Sequence, residues 1–206
     1  MKKYILIVVT LFLIGCSTGK QIWLSQSGNE SVKILYSNYS FQQMSIYLRK
    51  KIKFKNPNIR FANVKLNYFI EGEQIDGMYA YPMDYGKDGN LYRIGSAKGE
   101  KLYEINILPL SEREIIYELY IPMDYLKFEG IYKSLEHYLS LGKPIVYEDG
   151  LTGEKYKSSN SFIYEEPFSE FKRKNPELLE FLTKGDSIEL EVISPVKQKY
   201  KFKAEW

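Results

Sequence analysis

Residues 187–203 read SIELEVISPVKQKYKFK, and this stretch predicts an antiparallel hairpin. A turn at 194–196 brings opposite charges together on one face, in the pairs Glu191–Lys199 and Glu189–Lys201. The same register brings apolar and aromatic side chains together on the other face, in the pairs Leu190–Tyr200 and Ile188–Phe202. Both faces agree in one register, and a slip of one residue would exchange them, so the pairing is well specified.

The same strand-like pattern, rich in Ile, Val, Tyr and Phe, recurs through most of the preceding chain. Three further hairpins are predicted, around turns at residues 86–90, 111–113 and 149–153. The flanking strands of these hairpins are 78–83 with 91–94, 101–110 with 114–123, and 144–148 with 154–158. Additional strands are predicted at 32–36, 44–54 and 59–71, and a first strand is favoured over an interfacial contact at 22–24.

Two segments have helical rather than strand periodicity. In residues 131–141 the apolar side chains fall on one helical face, and Gly142 ends the pattern. A second helix begins at Pro176, preceded by Asn175 as N-cap, and ends at Gly185. The predicted fold class is therefore α+β and β-dominated: a mostly antiparallel sheet, sandwich-like or curved, with about two helices packed on it.

Composition narrows the function classes. Net charge is +3, from 29 basic and 26 acidic residues, and it falls close to neutrality if Lys2 and Lys3 are removed with a signal segment. Nucleic-acid binding needs a concentrated excess of positive charge, so it is not expected. Cys16 is the only cysteine, which excludes an internal disulfide and a multi-cysteine zinc site.

The N-terminus carries the most specific signal in the chain. Lys2 and Lys3 precede an apolar run over residues 4–14, which is the layout of a secretory signal and too short for a membrane-spanning helix. The run ends in Leu13-Ile14-Gly15-Cys16, which resembles the lipobox of bacterial lipoproteins. The resemblance implies cleavage before Cys16, a lipid on its thiol, and an acyl chain such as palmitate on the new amine.

The expected organisation follows from this resemblance. Residues 1–15 are a lipoprotein signal peptide, residues 16–30 hold the lipidated Cys16 and a short tether or first strand, and residues 31–206 form a single β-rich domain. The membrane is the expected partner through the lipid on Cys16. Ser17, and not aspartate, follows Cys16, so the resemblance implies the outer membrane if the cell has two membranes.

A four-residue motif occurs twice, and it supplies the first candidate binding site. Pro-Met-Asp-Tyr stands at residues 82–85 and again at 122–125, each time at the end of a predicted strand. Side by side, the two tips would form a binding rim of Asp84, Tyr85, Asp124 and Tyr125. The alternative is ordinary turn chemistry at two unrelated strand ends.

The basic run at residues 49–55 supplies a second candidate. Lys51, Lys53 and Lys55 alternate with apolar residues, so a strand would place the three lysines on one face. Such a face could contact anionic lipid headgroups, at about 1 kcal/mol per lysine. The alternative is an edge strand whose lysines discourage pairing with another chain.

Neither a metal nor another cofactor is expected. The stretch 84–90 slightly resembles an EF-hand loop, but glycine occupies positions where oxygen ligands belong, so a hairpin turn is favoured. His137 is the only histidine and is expected to be exposed. Without a second histidine, a free cysteine or a serine nucleophile elbow, neither a zinc site nor a histidine-based triad can be assembled.

The sequence therefore favours a membrane-anchored cell-envelope lipoprotein with a non-catalytic role, binding an envelope protein, a glycan or a peptide. An exposed patch of Tyr and Phe would support this role. The alternative is a carboxylate-dependent hydrolase of envelope glycans, which needs two acidic groups in one cleft, one with a raised pKa. A third possibility is a structural subunit of a larger envelope assembly.

Overall fold

The structure of the protein is a computed structural model that describes residues 20–37, 43–77, 79–95, 103–124, 129–148 and 152–206. The signal segment 1–15, the predicted lipid-attachment residue Cys16 and Tyr125 of the second Pro-Met-Asp-Tyr motif lie outside the described residues. No helix within the described ranges is both long and apolar enough to cross a membrane.

The described chain is dominated by β-strands, with short helices in its second half. The strands are β1 Trp23–Ser37, β2 Gln43–Asn56, β3 Ala62–Ile70, β4 Glu73–Gln74, β5 Ala80–Tyr85, β6 Leu91–Arg93, β7 Ile105–Ile107, β8 Ser111–Asp124, β9 Lys143–Glu148, β10 Lys155–Pro167, β11 Ser187–Ser194 and β12 Gln198–Lys203. The helices are α1 Glu129–Leu135, α2 His137–Leu141, α3 Phe168–Lys174 and α4 Pro176–Thr183.

The strands form two antiparallel sheets. Sheet A has the order β6-β5-β8-β2-β1-β10-β9, and sheet B has the order β12-β11-β3-β4, with β7 also paired to β3. Curved antiparallel sheets and a β-dominated α+β class are as predicted, although the helical segments are shorter and more numerous than the two expected.

The C-terminal hairpin has the predicted register. Glu191 lies opposite Lys199, Glu189 opposite Lys201, Leu190 opposite Tyr200 and Ile188 opposite Phe202. The charged face is arranged differently in detail, because Lys199 Nζ contacts both carboxylates, at 3.1 Å from Glu189 and 3.8 Å from Glu191. Lys201 instead places its ammonium over the Phe69 ring of β3. Lys201 therefore contacts β3, while Lys199 makes both ion pairs of the hairpin.

The core lies between the sheets, and strand alternation explains which residues fill it. In β2 the even-numbered side chains Ile46, Leu48, Ile52 and Phe54 are fully buried, while the odd-numbered ones face away. Tyr68 of β3 and Tyr117 of β8 have ring centroids 6.0 Å apart, so the two sheets meet face to face. Side chains from both sheets belong to one apolar cluster.

The helices cover the part of the core beside β1 and β10. Tyr138 of α2 contacts both Tyr164 of β10 and Phe171 of α3, with ring centroids 4.9 and 6.3 Å apart. The helix predicted at 131–141 is divided into α1 and α2 at Glu136. Helix α3 was not predicted, because its seven residues are mostly charged and show too short an apolar pattern.

The helix predicted from Pro176 is confirmed, but the role of the preceding residue differs. The Asn175 side chain makes no capping bond and instead donates to Tyr138 Oη at 2.7 Å and to the Phe171 carbonyl at 3.1 Å. It therefore ties α4 to α2 and α3. Gly185 follows α4 with φ +74°, a conformation that glycine adopts without a steric penalty.

Of the other hairpins, those at 86–90 and 149–153 are confirmed by the β5–β6 and β9–β10 pairings. The hairpin predicted at 111–113 is wrong. β7 pairs with β3 of sheet B, whereas β8 pairs with β2 and β5 of sheet A. The chain changes sheets between them at Leu110, whose φ is +50° and whose N–H donates to the Asn58 carbonyl.

Candidate functional site

The side of sheet A that faces away from sheet B, called here the outer face, carries most of the polar and aromatic side chains of the central strands. It is formed by odd-numbered residues of β2 and even-numbered residues of β8, with contributions from β1, β5 and β10. A small apolar cluster of Tyr81, Met83 and Ile116 covers one part of it. The neighbouring part contains two groups of interest.

The first group, called here the Arg49 cluster, consists of Arg49, Glu118, Tyr81, Glu165 and Ser31. Arg49 lies opposite Glu118, and Glu118 lies opposite Tyr81, so three adjacent strands bring these side chains together. Arg49 Nε is 2.7 Å from Glu118 Oε2, and the Tyr81 hydroxyl donates to Glu118 Oε1 at 2.7 Å. The Glu118 side chain is only 3% exposed, although it lies on the outer face.

Arg49 also holds the second carboxylate of the cluster. One terminal guanidinium nitrogen is 3.1 Å from Glu165 Oε1, and the Ser31 hydroxyl donates to the same oxygen. The two carboxylates are therefore joined through one guanidinium and are held in place by charge-assisted hydrogen bonds. This arrangement fixes the positions of side chains on five strands and provides a rigid base beside the second group.

The second group, called here the tyrosine row, consists of Tyr47, Tyr120 and Tyr79. Tyr47 of β2 lies opposite Tyr120 of β8, with ring centroids 5.0 Å apart. The Tyr79 ring is 5.9 Å from that of Tyr120 and nearly parallel to it. Lys33 of β1, opposite Tyr47, places its ammonium 4.3 Å from the Tyr47 ring centroid. Aromatic rings and one cation thus form a continuous line from β1 across β2 and β8 to the residue that precedes β5.

The tyrosine row is partly open to solvent. Tyr79 is 37% exposed, while Tyr47 and Tyr120 are half-buried. The Tyr120 hydroxyl accepts a hydrogen bond from Ser45 Oγ at 3.3 Å. The hydroxyls of Tyr47 and Tyr79 have no hydrogen-bond partner within the described ranges.

Burial on this face shifts the ionisation of several groups. It raises the pKa of Tyr47 to about 12, with smaller contributions from Tyr120 and Glu118. It also raises the pKa of Tyr81, whose hydroxyl donates to Glu118. These hydroxyls stay protonated at neutral pH and act as donors, not as bases. Burial lowers the pKa of Lys33, and the Glu118 carboxylate opposes that effect.

The structure does not bring the two Pro-Met-Asp-Tyr motifs together. β5 and β8 are antiparallel neighbours, with Met83 opposite Ile116, whereas Asp124 at the far end of β8 lies opposite Gln43 of β2. The eight residue-to-residue steps from Ile116 to Asp124 correspond to roughly 26 Å along an extended strand. Asp84 and Asp124 therefore lie at opposite ends of sheet A and share no rim.

The first motif instead makes local contacts. The Asp84 carboxylate accepts a hydrogen bond from Arg113 at 2.6 Å, and the Tyr85 hydroxyl donates to Glu30 at 3.2 Å. The following turn is also self-contained, because the Asp88 carboxylate accepts hydrogen bonds from Asn90 and Tyr92. Within the described residues there is no group of three or more His, Cys, Asp or Glu side chains suited to a metal ion.

Lys51, Lys53 and Lys55 share the outer face, as their alternation predicts, but glutamates lie beside them. Lys51 is 3.1 Å from Glu30, while Lys53 and Lys55 are 2.5 and 3.6 Å from Glu112. The edge-strand interpretation is wrong, because β2 lies between β8 and β1 in the centre of sheet A. The positive charge available for anionic headgroups is therefore smaller than the sequence suggests.

A hydrolase would require an acid with a raised pKa beside a second carboxylate, and in the described part of the chain these two features occur at different places. Burial raises the pKa of Asp186 to about 6, but this residue is 2% exposed and accepts a hydrogen bond from Tyr68 inside the protein. Glu118 and Glu165 do converge on the outer face, where both accept hydrogen bonds from Arg49. The acid with a raised pKa and the paired carboxylates therefore do not share a cleft.

His137 is exposed, as predicted.

A groove of about 830 Å³ adjoins the Arg49 cluster, beside the start of α3. Its wall includes Glu30, Ser31 and Glu165 from the strands and Trp206 from the C-terminal segment. The volume is in the range of small-molecule sites, but charges of both signs line the groove. The groove extends the outer face without defining a ligand by itself.

Comparison of the chain with protein-family models, with curated proteins and with solved structures gave no match.

Proposed function

We propose that the protein is a lipid-anchored lipoprotein of the cell envelope with a non-catalytic binding role, and that its ligand binds to the tyrosine row. The lipobox-like residues 13–16 support attachment of a lipid to Cys16. The residue after Cys16 is Ser17 and not an aspartate, which favours the outer membrane of a two-membrane cell. With two or three acyl chains, attachment would be effectively permanent, because each buried methylene contributes about 0.8 kcal/mol.

The tyrosine row is the observation that supports a binding role most strongly. Tyr47, Tyr120 and Tyr79 lie side by side on a partly exposed sheet face, and the hydroxyls of Tyr47 and Tyr79 have no hydrogen-bond partner among the residues that the structure describes. Tyrosines of this kind supply contact area with little loss of side-chain entropy, which makes them frequent in binding hot spots. The Arg49 cluster holds the adjacent strand positions rigid, which reduces the entropy lost on binding.

The proposal can be tested by affinity capture from the native envelope. Wild-type protein is compared with the double variant Tyr47→Ala/Tyr120→Ala, and we expect at least about a tenfold loss of captured protein or glycan, since two hot-spot tyrosines are removed. Cys16→Ala should leave capture intact after solubilisation while releasing the protein from membranes.

The control uses a second pair of stacked tyrosines that does not belong to the tyrosine row. Tyr147 and Tyr156 on the β9–β10 hairpin have ring centroids 5.5 Å apart, and Tyr156 is 55% exposed. The double variant Tyr147→Ala/Tyr156→Ala should retain full capture. Unchanged capture by the tyrosine-row variant, or equal losses in both double variants, would contradict the proposal.

A further inference from the structure

If the tyrosine row binds a ligand, as the proposed function requires, the environment of Lys33 indicates the chemical class of that ligand. Its side chain is half-buried, and its ammonium lies over the Tyr47 ring. Within the described residues Lys33 has no hydrogen-bond acceptor and no ion-pair partner. The nearby carboxylates of Glu118 and Glu165 are engaged by Arg49. Lys33 thus places at one end of the tyrosine row an ammonium group that makes no direct hydrogen bond or ion pair with a described residue, although the Glu118 and Glu165 carboxylates favour its charged form.

The position of the tyrosine row restricts the kind of ligand. It lies over β2 and β8, central strands whose backbone groups pair with neighbouring strands on both sides. An extended peptide that binds by strand addition needs an unpaired sheet edge, which this surface does not provide. Recognition here must come from side chains alone: aromatic rings, hydroxyl donors and one ammonium.

We propose that the tyrosine row binds an acidic saccharide, whose oxygens accept hydrogen bonds from the tyrosine hydroxyls and whose carboxylate binds the Lys33 ammonium. The Tyr47 ring lies between Tyr120 and the Lys33 ammonium, so its faces are not open to a sugar ring. Sugar oxygens can instead accept hydrogen bonds from the Tyr47 and Tyr79 hydroxyls. An anionic group gives Lys33 the acceptor that it lacks, through a charge-assisted hydrogen bond.

The test uses immobilised galacturonic acid trimers and hyaluronan tetramers, each beside its carboxyl-reduced form. The reduced forms keep the same rings and hydroxyls but carry no charge. We expect the wild type to bind an acidic form at least about tenfold more tightly than its reduced form, the effect of one charge-assisted hydrogen bond. Lys33→Met should abolish that preference and Lys33→Arg should retain it.

Lys33→Met keeps an unbranched apolar side chain at this half-buried position, so the fold should be preserved. Lys157→Met at an exposed lysine of β10 serves as the matched control. Equal binding of acidic and reduced forms, or an unchanged preference in Lys33→Met, would overturn the inference. Failure to bind either acidic probe would also overturn it. If envelope capture still depended on Tyr47 and Tyr120 in that case, the proposed function would stand without the saccharide.

Discussion

Replacement of Arg49 by methionine is expected to lower the free energy of unfolding by about 3–5 kcal/mol, the usual cost of removing one partner of a buried ion pair. The Glu118 side chain is 3% exposed and that of Arg49 is 12% exposed, so water cannot solvate the carboxylate in place of the guanidinium. The Tyr81 hydroxyl would remain as a donor to Glu118, but it carries no compensating charge.

A double variant separates the buried charge from simple loss of packing. Arg49→Met/Glu118→Gln removes both charges and leaves an amide that can still accept the Tyr81 hydrogen bond. We expect it to recover most of the stability lost in Arg49→Met, because the desolvated charge causes most of the loss. Chemical denaturation of the Cys16→Ala form measures both variants.

The matched control is Arg173→Met on α3. Arg173 and Glu170 form an ion pair at the same distance, 2.7 Å, but their side chains are 69% and 46% exposed. An exposed pair contributes about 0–1 kcal/mol, so this variant should be close to the wild type. If Arg49→Met were no more destabilising than Arg173→Met, the Arg49 cluster would not be the rigid base of the site.

Because of Lys50, the free energy of unfolding is expected to rise as the pH increases from about 8 to about 10.5. Its side chain is 1% exposed, and its ammonium donates to Asn29 at 3.0 Å and lies 4.4 Å from the Trp206 ring centroid. Burial lowers its pKa from 10.5 to about 8, with Glu205 and Lys172 as its charged neighbours. At about 1.4 kcal/mol per pKa unit, this corresponds to about 3 kcal/mol.

The sign follows from the depressed pKa of a base. Below pH 8 the folded and unfolded states are both protonated at Lys50, and the full cost of burying the charge lowers stability. Between pH 8 and 10.5 the folded state releases the proton while the unfolded state keeps it, so the free energy of unfolding rises. The stability cost of this buried lysine therefore disappears as the pH approaches 10.5.

The comparison with Lys50→Met isolates this effect from other titrating groups. The variant should be stabilised relative to the wild type at pH 7.5 by up to about 3 kcal/mol, less the lost contacts to Asn29 and Trp206, and that advantage should shrink towards pH 10.5. Lys184→Met, at an exposed lysine, should differ from the wild type by the same small amount at every pH. A constant difference between Lys50→Met and the wild type would show that Lys50 titrates normally.

The sequence predicted correctly those elements whose pairing or ends depend on residues that are close together in the chain. The C-terminal hairpin was predicted in register because both of its faces agree, and helix α4 because Pro176 and Gly185 mark its ends. The β7–β8 hairpin was predicted wrongly because a short loop and alternating residues do not reveal that the chain changes sheets at Leu110. Helix α3 and the length of β10 likewise depend on tertiary packing.

The candidate site was missed for a related reason. Glu118 lies between apolar residues of β8, and a buried carboxylate is itself an indication of a partner across the sheet. Its partner Arg49 is 69 positions away in the sequence, and the strand order that joins them is not apparent from local patterns. The Pro-Met-Asp-Tyr repeat predicted a proximity that the structure does not have. Its two copies end β5 and β8, which run in opposite directions, so the copies lie at opposite ends of sheet A.

The most direct test is oxidative footprinting of tyrosine side chains, with the lipidated protein in its native membranes compared with the purified Cys16→Ala form. If the outer face of sheet A binds the envelope ligand, Tyr79 should be protected in the membranes, with smaller protection of the half-buried Tyr47 and Tyr120. The exposed Tyr92 and Tyr156 should react equally in both samples. Equal oxidation of Tyr79 in both samples, or protection only at Tyr92 or Tyr156, would contradict a ligand-binding role for the tyrosine row.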